Sequence, residues 1–177
     1  LNLAFETAAE AFAIEVSSRT ARAMQILARK AGIYGMIGGQ VVDVESEGQP
    51  LSREKLNFIY RLKTSALIEA SMMIGAVLAG ASDEELAAVE RVAGDVGLAF
   101  QIQDDILDVT STLEVLGKPI HSDDKNNKTT YVTLEGLDKA RADVEAVSER
   151  ALETLRSLNY RNEFLEELIR MLITREK

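Results

Sequence analysis

Cysteine is absent from this 177-residue chain, histidine occurs once and proline twice. Without cysteine there is neither a disulfide framework nor a thiolate metal site, and the expected compartment is the cytoplasm. Aromatic residues make up only 5%, and no Val/Ile/Thr segment sustains alternation, so no sheet is expected. Basic residues are outnumbered, 20 Lys+Arg against 29 Asp+Glu, and the formal net charge of -9 argues against a general nucleic-acid surface. No apolar run approaches the roughly 20 residues that a membrane span requires. The chain also has no initiator Met and no signal peptide: "LNLAFETAAEAF" opens inside an amphipathic pattern, as a chain entered mid-helix would. What is present is 46% hydrophobic residues, enough for the core of a single domain.

The pattern is helical almost throughout. One helix is expected from the start to about Gly32, where glycine suits a left-handed cap, and a second over about 33–44. "ESEGQP" at 45–50 reads as a loop, and Ser52 offers an N-cap to a long segment ending near Gly80. Ser82 and Glu85 form a capping-box pattern that opens a helix running to about Val109. The polar stretch 110–127, punctuated by Gly and Pro, predicts a long loop before two further helices, about 129–157 and 162–175. The whole chain, 1–177, reads as a single all-helical unit.

"FQIQDDILDV" at 100–109 poses the main question, because it packs aspartates into an otherwise apolar helix. Buried carboxylates are costly without a compensating cation or hydrogen bonds. Gln101, Asp104, Asp105 and Asp108 fall at i, i+3, i+4 and i+7, one helical face on which oxygens can converge on a divalent cation. Hard oxygen ligands without Cys or a His pair favour magnesium, which commonly brings phosphate oxygens with it. Spacing alone serves equally well for a solvated face on which aspartates happen to cluster.

In "RLKTSALIEASMMIGAVLAG", Lys63 and Thr64 precede a continuously apolar run. Lys63 can donate to phosphate oxygens and Thr64 can add a hydroxyl, while Lys118 and Lys128 flank the loop where they could close over the same anion. Each lysine taken singly also reads as a snorkelling or solvated side chain. "YGMIGGQVVDVESEG" places Gly35, Gly38 and Gly39 in a helical context, which calls for close helix packing or for space around a ligand. Gln40 and Asp43 lie one turn apart and could face one cavity.

"GGQVVDVESEG", "LKTSALI", "FQIQDDILDV", "LGKPIHSDDKNNKTTY" and "FLEELIRMLITREK" together resemble, in order and spacing, the C-terminal part of the trans-isoprenyl diphosphate synthases, the polyprenyl synthetase family. The resemblance spans essentially all of the sequence and leans toward the farnesyl and geranylgeranyl diphosphate synthases. It implies part of an all-α helical bundle around a central cavity, dependent on Mg2+ and homodimeric, which condenses isopentenyl diphosphate with an allylic diphosphate. By the same resemblance, Asp104, Asp105 and Asp108 correspond to the second aspartate-rich motif, with Asp104 the primary magnesium ligand. Lys63, Lys118 and Lys128 correspond to the lysines that hold the allylic diphosphate, and Thr64 and Gln101 line the site of the leaving group and developing allylic cation.

The first aspartate-rich motif and the arginine pair of that family have no counterpart here, so the domain is expected to lack its N-terminal helices and to be inactive as this chain alone. His121 stands where the family usually has glycine. Alternative readings are a non-catalytic helical partner subunit of a prenyl synthase and a related terpenoid cyclase; "LKTSALI" with "GKPIHSDDKNNKTTY" fits chain elongation better than cyclisation. Missing packing partners would leave apolar surface on the first helix and on the aspartate helix, and self-association is expected.

Overall fold

The computed structural model describes residues 1–111 and 129–175, apart from the side chain of Ile173. Among these residues there is no strand. The helices are α1 (Asn2–Ile14), α2 (Ser18–Ala31), α3 (Met36–Glu45), α4 (Arg53–Tyr60), a π-helical turn (Arg61–Ser65), α5 (Ala66–Ala79), α6 (Asp83–Thr110), α7 (Tyr131–Glu135), α8 (Leu137–Arg156) and α9 (Glu163–Thr174). The all-α expectation holds.

Helix breaks differ from the sequence reading in three places, each for a local reason. The first expected helix is two, because the chain turns extended at Glu15 and Ser17 caps the next helix: its hydroxyl accepts from the Thr20 N–H at 3.2 Å while the Thr20 hydroxyl accepts from the Ser17 N–H at 3.0 Å. Gly32 is extended (φ -81°, ψ -160°) rather than left-handed. Past the polar stretch, Gly136 at φ 85° and ψ 157° separates α7 from α8 where one helix was expected. Within the long segment from Ser52 to Gly80, the π turn interrupts regular α geometry at the Lys63-Thr64 pair. The capping box of Ser82 and Glu85 is formed as read, with bonds of 2.8 and 3.2 Å.

α6 is the spine of the structure. It packs most extensively on α8, and α5 lies between it and α2. Leu56, Ile59, Tyr60, Ile102, Ile106, Tyr131 and Val144 form one core patch that joins α4, α6, α7 and α8. Val92, Val96, Leu152, Leu155 and Ile169 join α6, α8 and α9, while Ile26, Met73, Val77 and Leu86 join α2, α5 and α6. Lys30 bridges the last three helices through Glu69 and, at 2.6 Å, Glu90. On the other flank, the Arg150 guanidinium grips Asp95 with two bonds of 2.8 and 2.6 Å.

The run Arg53–Ala79 is long and apolar enough to cross a membrane by length and composition, which corrects the expectation that no such run exists. Within the bundle α2 and α6 pack on it and its buried Glu69 is ion-paired to Lys30, while only 33% of its most apolar stretch is buried.

Close backbone approach sets the position of the π turn. A Cβ on Gly39 would lie 2.4 Å from the Lys63 backbone nitrogen, and one on Gly97 2.3 Å from the Ser65 hydroxyl. Gly39 therefore serves helix packing, whereas a Cβ on Gly38 would meet the Ile33 carbonyl just upstream in the chain. The aspartate helix is well buried, contrary to the expectation of an exposed face, whereas α1 buries no residue at all. Exposed apolar side chains concentrate on α1 and its flanks (Leu1, Leu3, Ile14, Val16), on α3 and its approach (Ile33, Tyr34, Ile37, Val41, Val44) and on α9 and its approach (Tyr160, Phe164, Leu168, Met171).

Two tests follow from this packing. Gly39→Ala is expected to lower stability by about 1–3 kcal/mol in urea unfolding. Gly75→Ala, on α5 with nothing within 4 Å of the new methyl, should raise it or leave it unchanged. Apparent size in gel filtration should rise with concentration, and Ile37→Asp with Val41→Asp should reduce that dependence; a parent chain of constant size at every concentration contradicts self-association.

Candidate active site

The π turn and the last three turns of α6 place the residues of interest on one side of the α5–α6 pair. Lys63 Nζ donates to Asp43 Oδ2 at 2.5 Å, which ties the turn to α3. The Thr64 hydroxyl donates to Gln101 Oε1 at 2.8 Å, which ties it to α6. These contacts bring together Lys63, Thr64 and Gln101, with Asp104 one turn further along the helix. Of the other two residues considered on α3, Asp43 joins the group and Gln40 is exposed. Lys118, Lys128 and His121 lie outside the described residues.

The three aspartates differ sharply in environment. Asp104 is one-third exposed and is ion-paired to Arg175. Asp105 is only 5% exposed, and its Oδ2 accepts from the Tyr60 hydroxyl and, at 2.6 Å, from the backbone N–H of Tyr131. Asp108 is equally buried. Two hydrogen bonds to one buried oxygen make Asp105 a junction: α4 enters through Tyr60 and α7 through Tyr131. This is one answer to the cost of the aspartate cluster.

Tyr131 extends the junction outward. Its hydroxyl donates to Asp143 Oδ2 at 2.8 Å and receives a bond of 2.9 Å from Arg53, whose guanidinium also pairs with Glu135 at 3.2 Å. Burial, followed by the bond to the Asp143 carboxylate and its charge, pushes the Tyr131 phenol up to about 12, with Arg53 pulling the other way. The Asp143 carboxyl is held low; burial opposes this, but bonds from Lys139 and Tyr131 prevail.

Among the described residues, no three His, Cys, Asp or Glu side chains converge as a metal cage. Asp104 is nevertheless a hard oxygen donor with access to solvent, and magnesium commonly uses one or two carboxylates together with substrate phosphates. The donor set therefore fits a magnesium shared between Asp104 and a phosphorylated ligand. It does not fit one held by the three aspartates alone in this conformation.

Sequence reasoning missed Tyr60, Tyr131 and Arg175. Tyr60 lies three residues before Lys63 and carried a usable signal, a phenol in an apolar helix that needs a partner. Arg175 lies 71 residues from Asp104, with no periodicity linking the two.

A model of the polyprenyl synthetases matches residues 1–169. The chain belongs to the polyprenyl synthetase family. Among its relatives, the large subunit 1 of the heterodimeric geranylgeranyl pyrophosphate synthase of Arabidopsis thaliana is 42% identical over 160 residues, which cover 88% of this chain and 43% of that protein. The farnesyl diphosphate synthase of Geobacillus stearothermophilus is 40% identical over 136 residues, 77% of this chain and 46% of the relative. The structure of the Helicobacter pylori geranyltransferase complexed with magnesium and isoprenyl diphosphate superposes with a TM-score of 0.80 at 34% identity, covering 97% of this chain and 56% of the other. The chain thus spans under half the length of these two curated relatives. Family membership accounts for the all-α architecture, and the crowded π turn and aspartate helix are where this polyprenyl synthetase chain gathers its charged groups.

Asp105→Ala is expected to destabilise the chain by about 2–5 kcal/mol, because two buried donors lose their acceptor. Asp105→Asn, which retains an acceptor oxygen, should cost less. Urea unfolding of both variants decides it, and equal losses would contradict the junction. The raised Tyr131 phenol also has a definite pH signature. Its folded value lies above its unfolded one, so the stability it contributes is complete below about pH 10 and is lost as pH rises toward about 12. Tyr131→Phe should flatten that part of the stability profile, and tyrosinate absorbance should lose its latest-titrating phase.

Proposed function

We propose that this chain is the diphosphate-holding part of a short-chain trans-prenyltransferase of the farnesyl or geranylgeranyl diphosphate synthase type. The observation that carries the reading is the arrangement around the π turn: Thr64 bonds to Gln101, one helical turn before Asp104 on α6, while the adjacent Lys63 pairs with Asp43 of α3. Family membership and the named synthases among the relatives support it.

In the reaction proposed, the carbon–oxygen bond of the allylic diphosphate breaks and diphosphate departs with the electron pair. The double bond of isopentenyl diphosphate attacks the allylic carbon, a new carbon–carbon bond forms, and loss of a proton restores the alkene. Lys63, paired with Asp43 in the free chain, is placed to redirect its ammonium to a phosphate oxygen as negative charge builds there. Thr64 and Gln101 already share a proton donor and acceptor, so their dipoles are oriented before a ligand arrives. Lys118 and Lys128 belong to the same diphosphate set by the family resemblance. Asp104 would hold magnesium, which would supply neutralisation of the leaving diphosphate. Asp105 and Asp108 are assigned to the same aspartate motif, with Asp105 acting through its junction with Tyr60 and Tyr131. The proposed assembly is a homodimer, with the exposed apolar residues of α1 and α3 as the contact.

Calorimetric titration of the chain with inorganic diphosphate and Mg2+ tests the reading. Binding is expected, with Lys63→Ala weakening it about tenfold or more, the scale of a hydrogen bond to a charged group. Undiminished binding in Lys63→Ala would sink the assignment. No condensation of labelled isopentenyl diphosphate with an allylic diphosphate is expected from this chain alone; turnover abolished by Asp104→Ala would show that it carries a complete site.

A further inference from the structure

Arg175, just beyond α9, makes an unusual set of contacts for a side chain so far from α6 in sequence. Its guanidinium pairs with the Asp104 carboxylate, donates to the Phe100 carbonyl at 3.3 Å, and lies 3.8 Å from the centre of the Phe100 ring. Its own carbonyl accepts from the Gln103 amide at 3.2 Å. One helical turn of α6 thus grips both ends of this residue. The seat is imperfect, because the buried Nε finds no acceptor among the described residues.

We propose that Arg175 is a resident cation that competes with the metal ion for Asp104. The inference rests on Asp104 being the metal-side ligand, as read above. A carboxylate engaged by a guanidinium offers its lone pairs and its charge to that partner, and a divalent cation at the same oxygens is repelled by the positive charge beside it. Magnesium and Arg175 therefore exclude each other at Asp104. The pairing neutralises a partly buried carboxylate, and an Nε with no acceptor among the described residues makes the seat of Arg175 easier to give up. A phosphorylated ligand tips the exchange, since it adds oxygen ligands for the metal and an anion that can receive the freed guanidinium. The device makes metal binding dependent on the phosphorylated ligand.

Mn2+ titration of the chain, followed by the electron paramagnetic resonance of the free ion and performed with and without inorganic diphosphate, tests this. Arg175→Ala should bind Mn2+ about tenfold tighter than the parent when diphosphate is absent, and the gain should shrink when diphosphate is present. Equal or weaker binding by Arg175→Ala, or no binding by either chain, overturns the proposal. Asp104→Ala reports on the underlying reading: loss of Mn2+ binding is expected, and its retention would overturn the metal-ligand assignment together with the proposal. Binding lost in Asp104→Ala but unchanged in Arg175→Ala would overturn the role of Arg175 alone. In the parent, the Nε–H resonance of Arg175 should shift and exchange faster with solvent as Mg2+ and diphosphate are added, a readout that needs no variant to fold. A resonance that stays put while metal and diphosphate bind contradicts displacement.

Discussion

The structure depends on how closely three backbones approach at the π turn. Gly39 of α3 meets it from one side and Gly97 of α6 from the other, at separations where a methyl group would overlap the Lys63 nitrogen and the Ser65 hydroxyl. Interiors are close-packed, so a shift of either helix would be passed directly to the residues on the turn. Lys63 and Thr64 take their direction from that contact. A wide turn lodged between two tight approaches is a local departure from regular helix geometry that neighbouring elements hold in place, as is common where a helix carries chemistry.

Charge inside the bundle follows one rule at several sites. Glu69 is answered by Lys30, Asp43 by Lys63, Asp105 by a phenol and a backbone N–H, and Asp104 by Arg175. A carboxylate that leaves water needs a partner, and the identity of that partner separates structural from chemical roles. Partners that are backbone, or side chains fixed in the core, make Asp105 part of the scaffold. Partners on long side chains with partial solvent access leave Asp43 and Asp104 exchangeable. The aspartate motif is therefore heterogeneous, with Asp104 partly open to solvent and Asp105 tying together the helices that surround it.

Much of the architecture was legible in the sequence because it is written in short-range patterns. The Ser82–Glu85 cap, the limits of α6 and the one-sided spacing of Gln101, Asp104 and Asp108 are all set within a few turns. The breaks at Ser17 and Gly136 were missed because a local cap or a single glycine outweighed an apolar periodicity that runs straight through them. The spacing of Lys63 and Thr64 near the aspartates was inferred from resemblance; the bond between Thr64 and Gln101 is the physical contact behind it. Tyr131 and Arg175 could not be foreseen from periodicity, since contacts made across 26 and 71 residues leave no local trace.

Those long-range contacts also compensate the charge that the aspartate helix carries into the bundle. Left unpaired, neighbouring carboxylates on one face would repel one another and oppose burial of the apolar face behind them. Each of Asp104 and Asp105 instead receives compensation from an element later in the chain, α7 for one and the segment after α9 for the other. The negative charge of these two carboxylates is thereby held by internal donors, and the helix can pack on α8 with that charge answered. Any group that engages the Asp104 carboxylate has to replace a partner that is already there, the Arg175 guanidinium.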